Sequence, residues 1–276
     1  MYSAEISRSN PSCFLFIIDQ SGSMSDPYGA GSKAESVSDA INRLLQNLII
    51  KCAKSEGIRD YYHVGVIGYG ASVGPAFGGV LAGKELVPIS EIADNPSRLE
   101  KRLKKVPDGA GGLADQLVKF PVWFEPVSNG GTPMCQAVNT AHTILNQWIN
   151  EYTPSFPPVV IHITDGESTD GDPTSEMAKL RELATDDGNV LLFNLHISDS
   201  PSAVEQRFPE TSDGLPDPYS RMLYEGSSLL TPFMIRVANQ EHDLDLSDGA
   251  RGFVLNADLT LVIQALDIGT RPANLR

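Results

Sequence analysis

Three short strings carry oxygen ligands in a pattern that could hold a metal ion. In "IIDQSGSM", Asp19, Ser21 and Ser23 fall at i, i+2 and i+4 directly after an apolar run. A carboxylate and two hydroxyls so spaced on a tight loop can point at one centre, and Gly22 between the serines frees the backbone to turn. In "NGGTPM", Gly130 and Gly131 permit a close approach of the chain, and Thr132 offers a third hydroxyl just ahead of a helical pattern. In "ITDG", Asp165 again closes an apolar run. Two carboxylates and three hydroxyls make an all-oxygen set suited to a hard cation. Mg²⁺ is favoured, with Mn²⁺ as its substitute, because few protein oxygens completed by water suit it better than the larger ligand shell Ca²⁺ prefers. Asp and Ser also cap helices and turns after strands. The coincidence of three strings, rather than any one of them, therefore carries the metal reading.

These strings need elements that bring them together. Cys13 to Ile18, "CFLFII", is a continuous apolar run of the kind found in a central parallel strand buried on both faces. From Ser32 to Lys54, Val37, Ile41, Leu44, Leu45, Leu48, Ile49 and Cys52 recur at helical spacing. "HVGVIGYG" reads as the next strand, and "KELVPI" as a short edge strand, since Pro88 cannot serve a central ladder. "NPSRLEKRLKKV" predicts a short helix, with Asn95 as N-cap and Pro96 at the first helical position. After "NGGTPM", Met134, Val138, Ala141, Ile144, Leu145, Trp148 and Ile149 share one helical face. "PVVIHITDG" and "NVLLFNLHIS" are further strands, separated by a helix starting at Asp172 and Pro173 and running to about Leu183. A helix from about Thr231 to Gln240, a strand "GFVLN" and a last helix "DLTLVIQALDI" complete the pattern.

This alternation predicts a doubly wound, Rossmann-like α/β fold: a mostly parallel sheet with one antiparallel edge strand and helices on both faces. One domain over residues 1–276 is expected, with insertions near 71–124 and 201–220. In open sheets of this kind ligands bind beyond the carboxyl ends of the strands, where Asp19 and Asp165 fall.

"DQSGSM", "GGT" and "TDG", in this order, resemble the metal-ion-dependent adhesion site of von Willebrand factor A domains, and the strand–helix alternation from about Ser12 to Ile268 fits that fold. The resemblance implies that Ser21, Ser23 and Thr132 touch the ion directly, while Asp19 and Asp165 act directly or through water. It further implies a protein–protein interaction module that captures an Asp or Glu of a partner, of the stand-alone cytoplasmic kind found as adaptors in bacterial regulatory or stress systems. The 71–124 and 201–220 regions depart from the family pattern.

Other chemistries fit less well. "GAGSKAES" lacks the glycine a phosphate loop needs before Lys33. "DLDLSDG" has its glycine displaced from the calcium-loop position, and Val254 stands where that loop needs Glu. His162 and His196, in "HITD" and "HISD", suggest neighbouring parallel strands in matching register and are read as hydrogen-bonded core residues, with Asp199 a possible outer neighbour of the metal site. An aspartate-nucleophile phosphohydrolase using Asp19 would want a second Asp where Ser21 stands, so no enzyme is expected. A structural subunit with a purely stabilising metal is the remaining alternative.

A net charge of −14 without a basic stripe argues against nucleic acid. Cys13, Cys52 and Cys135 lie in apolar contexts and are expected as buried thiols in a reducing compartment. The first apolar run is too short to span a bilayer, and the polar stretch before it is unlike a signal peptide, so a cytoplasmic location with no membrane contact is expected.

Overall fold

The run at residues 13–18 forms the middle of a strand, β1 (Ser12–Asp19), buried along its whole length. Its side chains alternate between two cores: Phe14, Phe16 and Ile18 enter one, and Cys13, Leu15 and Ile17 enter the other. That two-sided burial is why the sequence reads as continuously apolar rather than alternating. The computed structural model describes residues 2–107, 113–198 and 204–270.

The first core is closed by α1 (Lys33–Cys52), with later helices beside it. α1 begins with a capping box, in which the Ser32 side chain accepts from the Glu35 N–H and the Glu35 carboxylate accepts from the Ser32 N–H. β2 (Tyr62–Tyr69) returns parallel to β1, pairing Asp19 with Tyr69. Two short pieces, β3 (Val73–Pro75) and β4 (Val87–Pro88), pair antiparallel with β2 and form this border of the sheet. Only Val87 and Pro88 of the expected "KELVPI" strand enter the ladder, since α2 (Ile89–Asp94) begins at the next residue.

The segment predicted as a helix from Asn95 is a strand instead. β5 (Arg98–Pro107) pairs antiparallel with β6 (Leu113–Val122) as a hairpin apart from the main sheet. The leucines that suggested a helical stripe, Leu99 and Leu103, are 56% and 70% exposed. The other face decides the conformation. Arg102 pairs with Asp39 of α1 and lies over the Phe120 ring, 3.6 Å from its centroid, while Arg98 pairs with Glu125 at 2.8 Å. Alternation along β5 puts these arginines on one side, and long-range pairing outweighs the local helical pattern.

The chain then enters α3 (Met134–Glu151), whose seven predicted apolar positions are all buried in the second core. β7 (Val159–Thr164), α4 (Thr174–Glu182) and β8 (Leu191–Ile197) follow the expected order. β9 (Gln206–Arg207) and α5 (Pro218–Gly226) lie in and after the stretch expected to be irregular. α5 starts on Asp217, whose carboxylate accepts from the Ser220 N–H at 2.7 Å, with Pro218 at its first position. α6 (Pro232–Glu241), β10 (Phe253–Ala257) and α7 (Leu259–Thr270) complete the chain.

The eight-stranded sheet runs β9-β10-β8-β7-β1-β2-β3, with β4 also on β2. From β10 to β2 every pair is parallel, and short antiparallel pieces border both edges. Helices α1, α6 and α7 contribute to one core and α3, α4 and α5 to the other, which is the doubly wound α/β architecture. The chain leaves β1 towards β2 on one side and β7 towards β8 on the other. The crevice between β1 and β7 is thus the topological switch point of the sheet.

Candidate metal centre

Parallel register places Ile18 beside Ile163, so Asp19 and Thr164 end their strands side by side at this crevice. Asp19 is 1% exposed, and both its carboxylate oxygens are held: Oδ1 accepts from the Ser21 N–H at 2.8 Å and Oδ2 from the Thr164 hydroxyl at 2.8 Å. Burial raises the pKa of this carboxyl and the nearby Asp165 adds to the effect, against the Ser21 and Thr164 hydrogen bonds that favour the anion. From Asp19 the chain turns so that the Ser21 and Ser23 hydroxyls lie 3.1 Å apart. Ser23 in turn donates to Asp165 Oδ1 at 2.8 Å.

Four of the five expected residues, Asp19, Ser21, Ser23 and Asp165, are therefore joined in one run of hydrogen bonds. Thr132 sits on the neighbouring loop, buried, and no hydrogen bond among the described residues joins its hydroxyl to this run. Its backbone is fixed on both sides, with the Thr132 N–H donating to Thr169 Oγ1 at 2.9 Å and the Thr169 N–H donating to the Thr132 carbonyl at 2.9 Å. The two loops are stitched together by main chain: Asn129 N–H donates to the Gln20 carbonyl at 2.6 Å, and Gly22 N–H to the Gly130 carbonyl at 3.0 Å. Gly130 has φ +89°, and a Cβ there would lie 2.4 Å from the Ala71 nitrogen. That close approach is what the Gly-Gly pair ahead of Thr132 makes possible.

Sequence reading missed a cation in this cluster. Lys33, the first residue of α1, places its ammonium 2.6 Å from Asp165 Oδ2 and 3.4 Å from Asp26, with the Asp165 side chain fully buried and that of Lys33 12% exposed. Thr164 and Tyr219, which donates its hydroxyl proton to the Gly166 carbonyl, also support the site and were not singled out. The position of Thr164 beside Asp165 in "ITDG" was the available signal; nothing local marks Lys33 or Tyr219.

The chemistry of the donor set fits a hard cation. Carboxylate and hydroxyl oxygens converge at a strand-end crevice, one already beside a positive charge, and the hydroxyls need only turn their protons outward to present lone pairs. Among the described residues no group of three or more His, Cys, Asp or Glu could hold a metal, so a site here must use hydroxyls.

The histidines take no part. β7 and β8 are neighbours and parallel, but the register pairs His162 with Asn194 and Thr164 with His196, offset by two from the expected match. The two histidines consequently do not face each other, and Asp199 lies outside the described residues. His162 is fully buried between the Tyr69 hydroxyl at 2.7 Å and Asn194 Oδ1 at 2.8 Å. Because the Asn194 amide donates to the Leu223 carbonyl and Ser227, its oxygen is the acceptor, which assigns the His162 proton to Nδ1. Cys13 and Cys52 are buried as expected, whereas Cys135, in the first turn of α3, is only partly so, its sulfur lying 3.9 Å from the Ser168 hydroxyl.

No family model and no curated protein matches the sequence. Among solved structures the chain is similar to the pilus adhesin SpaC from Lactobacillus rhamnosus GG, at 14% identity over 98% of this chain and 32% of that one, with a TM-score of 0.48. It is also similar to a von Willebrand factor type A from Catenulispora acidiphila, at 17% identity over 68% of this chain and 34% of that one, with a TM-score of 0.41. A third is proximal thread matrix protein 1 from the mussel byssus with a zinc occupied MIDAS motif, at 14% identity over 70% of this chain and 37% of that one, with a TM-score of 0.35. The chain spans less than half the length of each. At these identities and TM-scores the residues of this chain, not its neighbours, define the site.

Proposed function

We propose that the chain is a von Willebrand factor A-type module that holds one divalent cation, Mg²⁺ or Mn²⁺, through Asp19, Ser21, Ser23, Thr132 and Asp165, and uses it to capture an Asp or Glu carboxylate of a protein partner. The observation that carries this reading is the hydrogen-bonded run from Asp19 through Ser21 and Ser23 to Asp165. A bound dication supplies an electrophilic face that accepts an incoming carboxylate oxygen.

The chain's own residues do the rest. Thr164 and the Ser21 N–H hold Asp19 in one orientation, and the stitched loops hold Ser21, Ser23 and Thr132 at the rim. Lys33 offsets the charge of Asp165, so the rim is not left as a bare pair of carboxylates. The reading assigns no catalysis, since Ser21 stands where an aspartate-nucleophile phosphohydrolase would place its acid. No helix among the described residues is long and apolar enough to cross a membrane. Three free thiols, two of them buried, support a reducing, cytoplasmic setting.

The test is capture of a partner from native lysate by the wild-type chain, repeated with EDTA, with Asp19→Ala and with Thr132→Ala, alongside Mn²⁺ calorimetry on each protein. Asp19→Ala is expected to abolish metal binding and capture together, and Thr132→Ala to weaken both. Capture that persists through EDTA and both substitutions would sink the metal-bridged mechanism.

A further inference from the structure

At the amino ends of β8 and β10, the opposite end of the sheet from Asp19 and Asp165, two arginines converge on a single neutral acceptor. Arg181, at the end of α4, donates from Nη1 to the Ser227 carbonyl at 3.3 Å, and Arg251, just ahead of β10, donates from Nη1 to the same oxygen at 2.7 Å. Neither makes an ion pair with a carboxylate among the described residues, although the chain carries 35 Asp and Glu against 21 Lys and Arg. The buried Nε of Arg181 has no hydrogen-bond partner among the described residues, and the Arg251 guanidinium lies 5.1 Å from the centroid of the Tyr224 ring. The shared carbonyl brings the two guanidinium groups close together, and burial and then the charge of Arg251 hold the Arg181 guanidinium below its usual range, against the opposing charge of Glu182.

Both arginines line a cavity of about 500 Å³, together with Tyr2, Asn189, Ser228 and Thr231. Ser227 cannot neutralise two full charges with one carbonyl dipole. In an acidic protein, unpaired like charges set side by side in a cleft are stabilised by a bound anion. The type of anion follows from the donors. One guanidinium fork satisfies a carboxylate bidentately, whereas two adjacent forks match the several oxygens and the double charge of a phosphoryl group. The volume lies within the range of small-molecule sites, so an ester carrying the phosphoryl group also fits.

We infer that Arg181 and Arg251 form a phosphoryl-binding site, separate from the metal centre, that takes inorganic phosphate or a small phosphomonoester. The site does not depend on the proposed metal function, and the test keeps the two apart. Calorimetry on the metal-free full chain at low ionic strength would titrate inorganic phosphate, ribose 5-phosphate, sulfate and acetate in parallel. Saturable phosphate binding is expected, with acetate weaker by about tenfold or more, the equivalent of one charge-assisted hydrogen-bonded pair. Arg181→Gln is expected to weaken phosphate by about tenfold, and Arg181→Lys, which keeps the charge but loses the fork, by a smaller factor. Mn²⁺ affinity is expected to be unchanged in both variants. Ribose 5-phosphate binding more tightly than phosphate would identify an ester as the ligand, and equal affinity would identify the free ion. No saturable phosphate binding to the wild type, acetate binding as tightly as phosphate, or undiminished phosphate binding in Arg181→Lys would overturn the proposal. The lysine variant keeps it testable if the glutamine variant does not fold.

Discussion

Lys33 reaches the oxygen cluster from the first turn of α1, and its ammonium occupies the side of Asp165 that a dication would otherwise share. A pair this well removed from solvent is screened little by salt, although desolvation offsets part of its attraction. On the proposed metal reading, lysine and metal compete for one carboxylate, and Lys33 tunes the affinity of the site from within. Lys33→Met is expected to tighten Mn²⁺ by roughly tenfold, a change of about 1.4 kcal/mol, measured by calorimetry against the wild type. Weaker binding in the variant would show that the lysine supports the ion rather than competing with it.

Among the elements, the β5–β6 hairpin and the β7–β8 pair show how partners across the sheet or hairpin decide what a segment does. Phe120 of β6 is 6% exposed, with the Arg102 guanidinium at 3.6 Å and that of Arg43 at 5.6 Å from its ring centroid. Phe120→Ala is expected to cost about 3 kcal/mol in urea denaturation, whereas Leu103→Lys, on the exposed face of β5, should stay within about 0.5 kcal/mol. A reversal of that order would return the leucine face to a core.

His162, wedged between β2 and β8, has its pKa pushed down by burial to about 4, against an unperturbed 6.5, with the Asn194 hydrogen bond opposing the shift. The unfolded chain takes up this proton at a higher pH than the folded one does. Its stabilising contribution is therefore full above pH 6.5 and is lost as pH falls through about 4. The effect amounts to about 3 kcal/mol at most. Asp19 is shifted in the opposite sense and opposes this slope, so the measurement is a difference. Stability between pH 7 and 4 is expected to fall less steeply in His162→Gln than in the wild type, and parallel curves would show that His162 takes up its proton at the same pH in the folded and unfolded chains.

For the whole molecule, two cores on either side of one sheet hold the fold independently of the loops that carry the site. The oxygen cluster sits at the rim, beyond the last residues of β1 and β7. Chelation is accordingly expected to leave the near-UV spectrum intact and to lower Tm only by the binding energy of the ion at its working concentration. Loss of the near-UV signal in EDTA would make the ion a structural element. The charge of −14 acts on the same scale: a dication approaching the rim is drawn by the whole molecule, and the Arg181–Arg251 cleft is a local exception to that field.

The sequence by itself determined the elements whose burial is written into their own periodicity. The two-sided apolar runs of β1, β7 and β8 and the one-sided stripes of α1 and α3 encode which faces are covered, whatever covers them. Asp19, Ser21, Ser23 and Asp165 were legible for a related reason: each lies within a few residues of a strand end, so local spacing fixes where it must emerge. Tertiary structure decided everything that depends on a partner distant in the chain. The hairpin exists because β6 and α1 supply Phe120 and Asp39 to the arginines of β5, which no window of residues 95–107 contains. The β7–β8 register pairs His162 with Asn194 and Thr164 with His196, and so defeats the likeness of "HITD" to "HISD". Lys33 lies 132 residues from Asp165, and Arg181 lies far from Arg251 along the chain; in each case a charge found its place only when the sheet closed, since electrostatic contacts leave no period in the sequence to read.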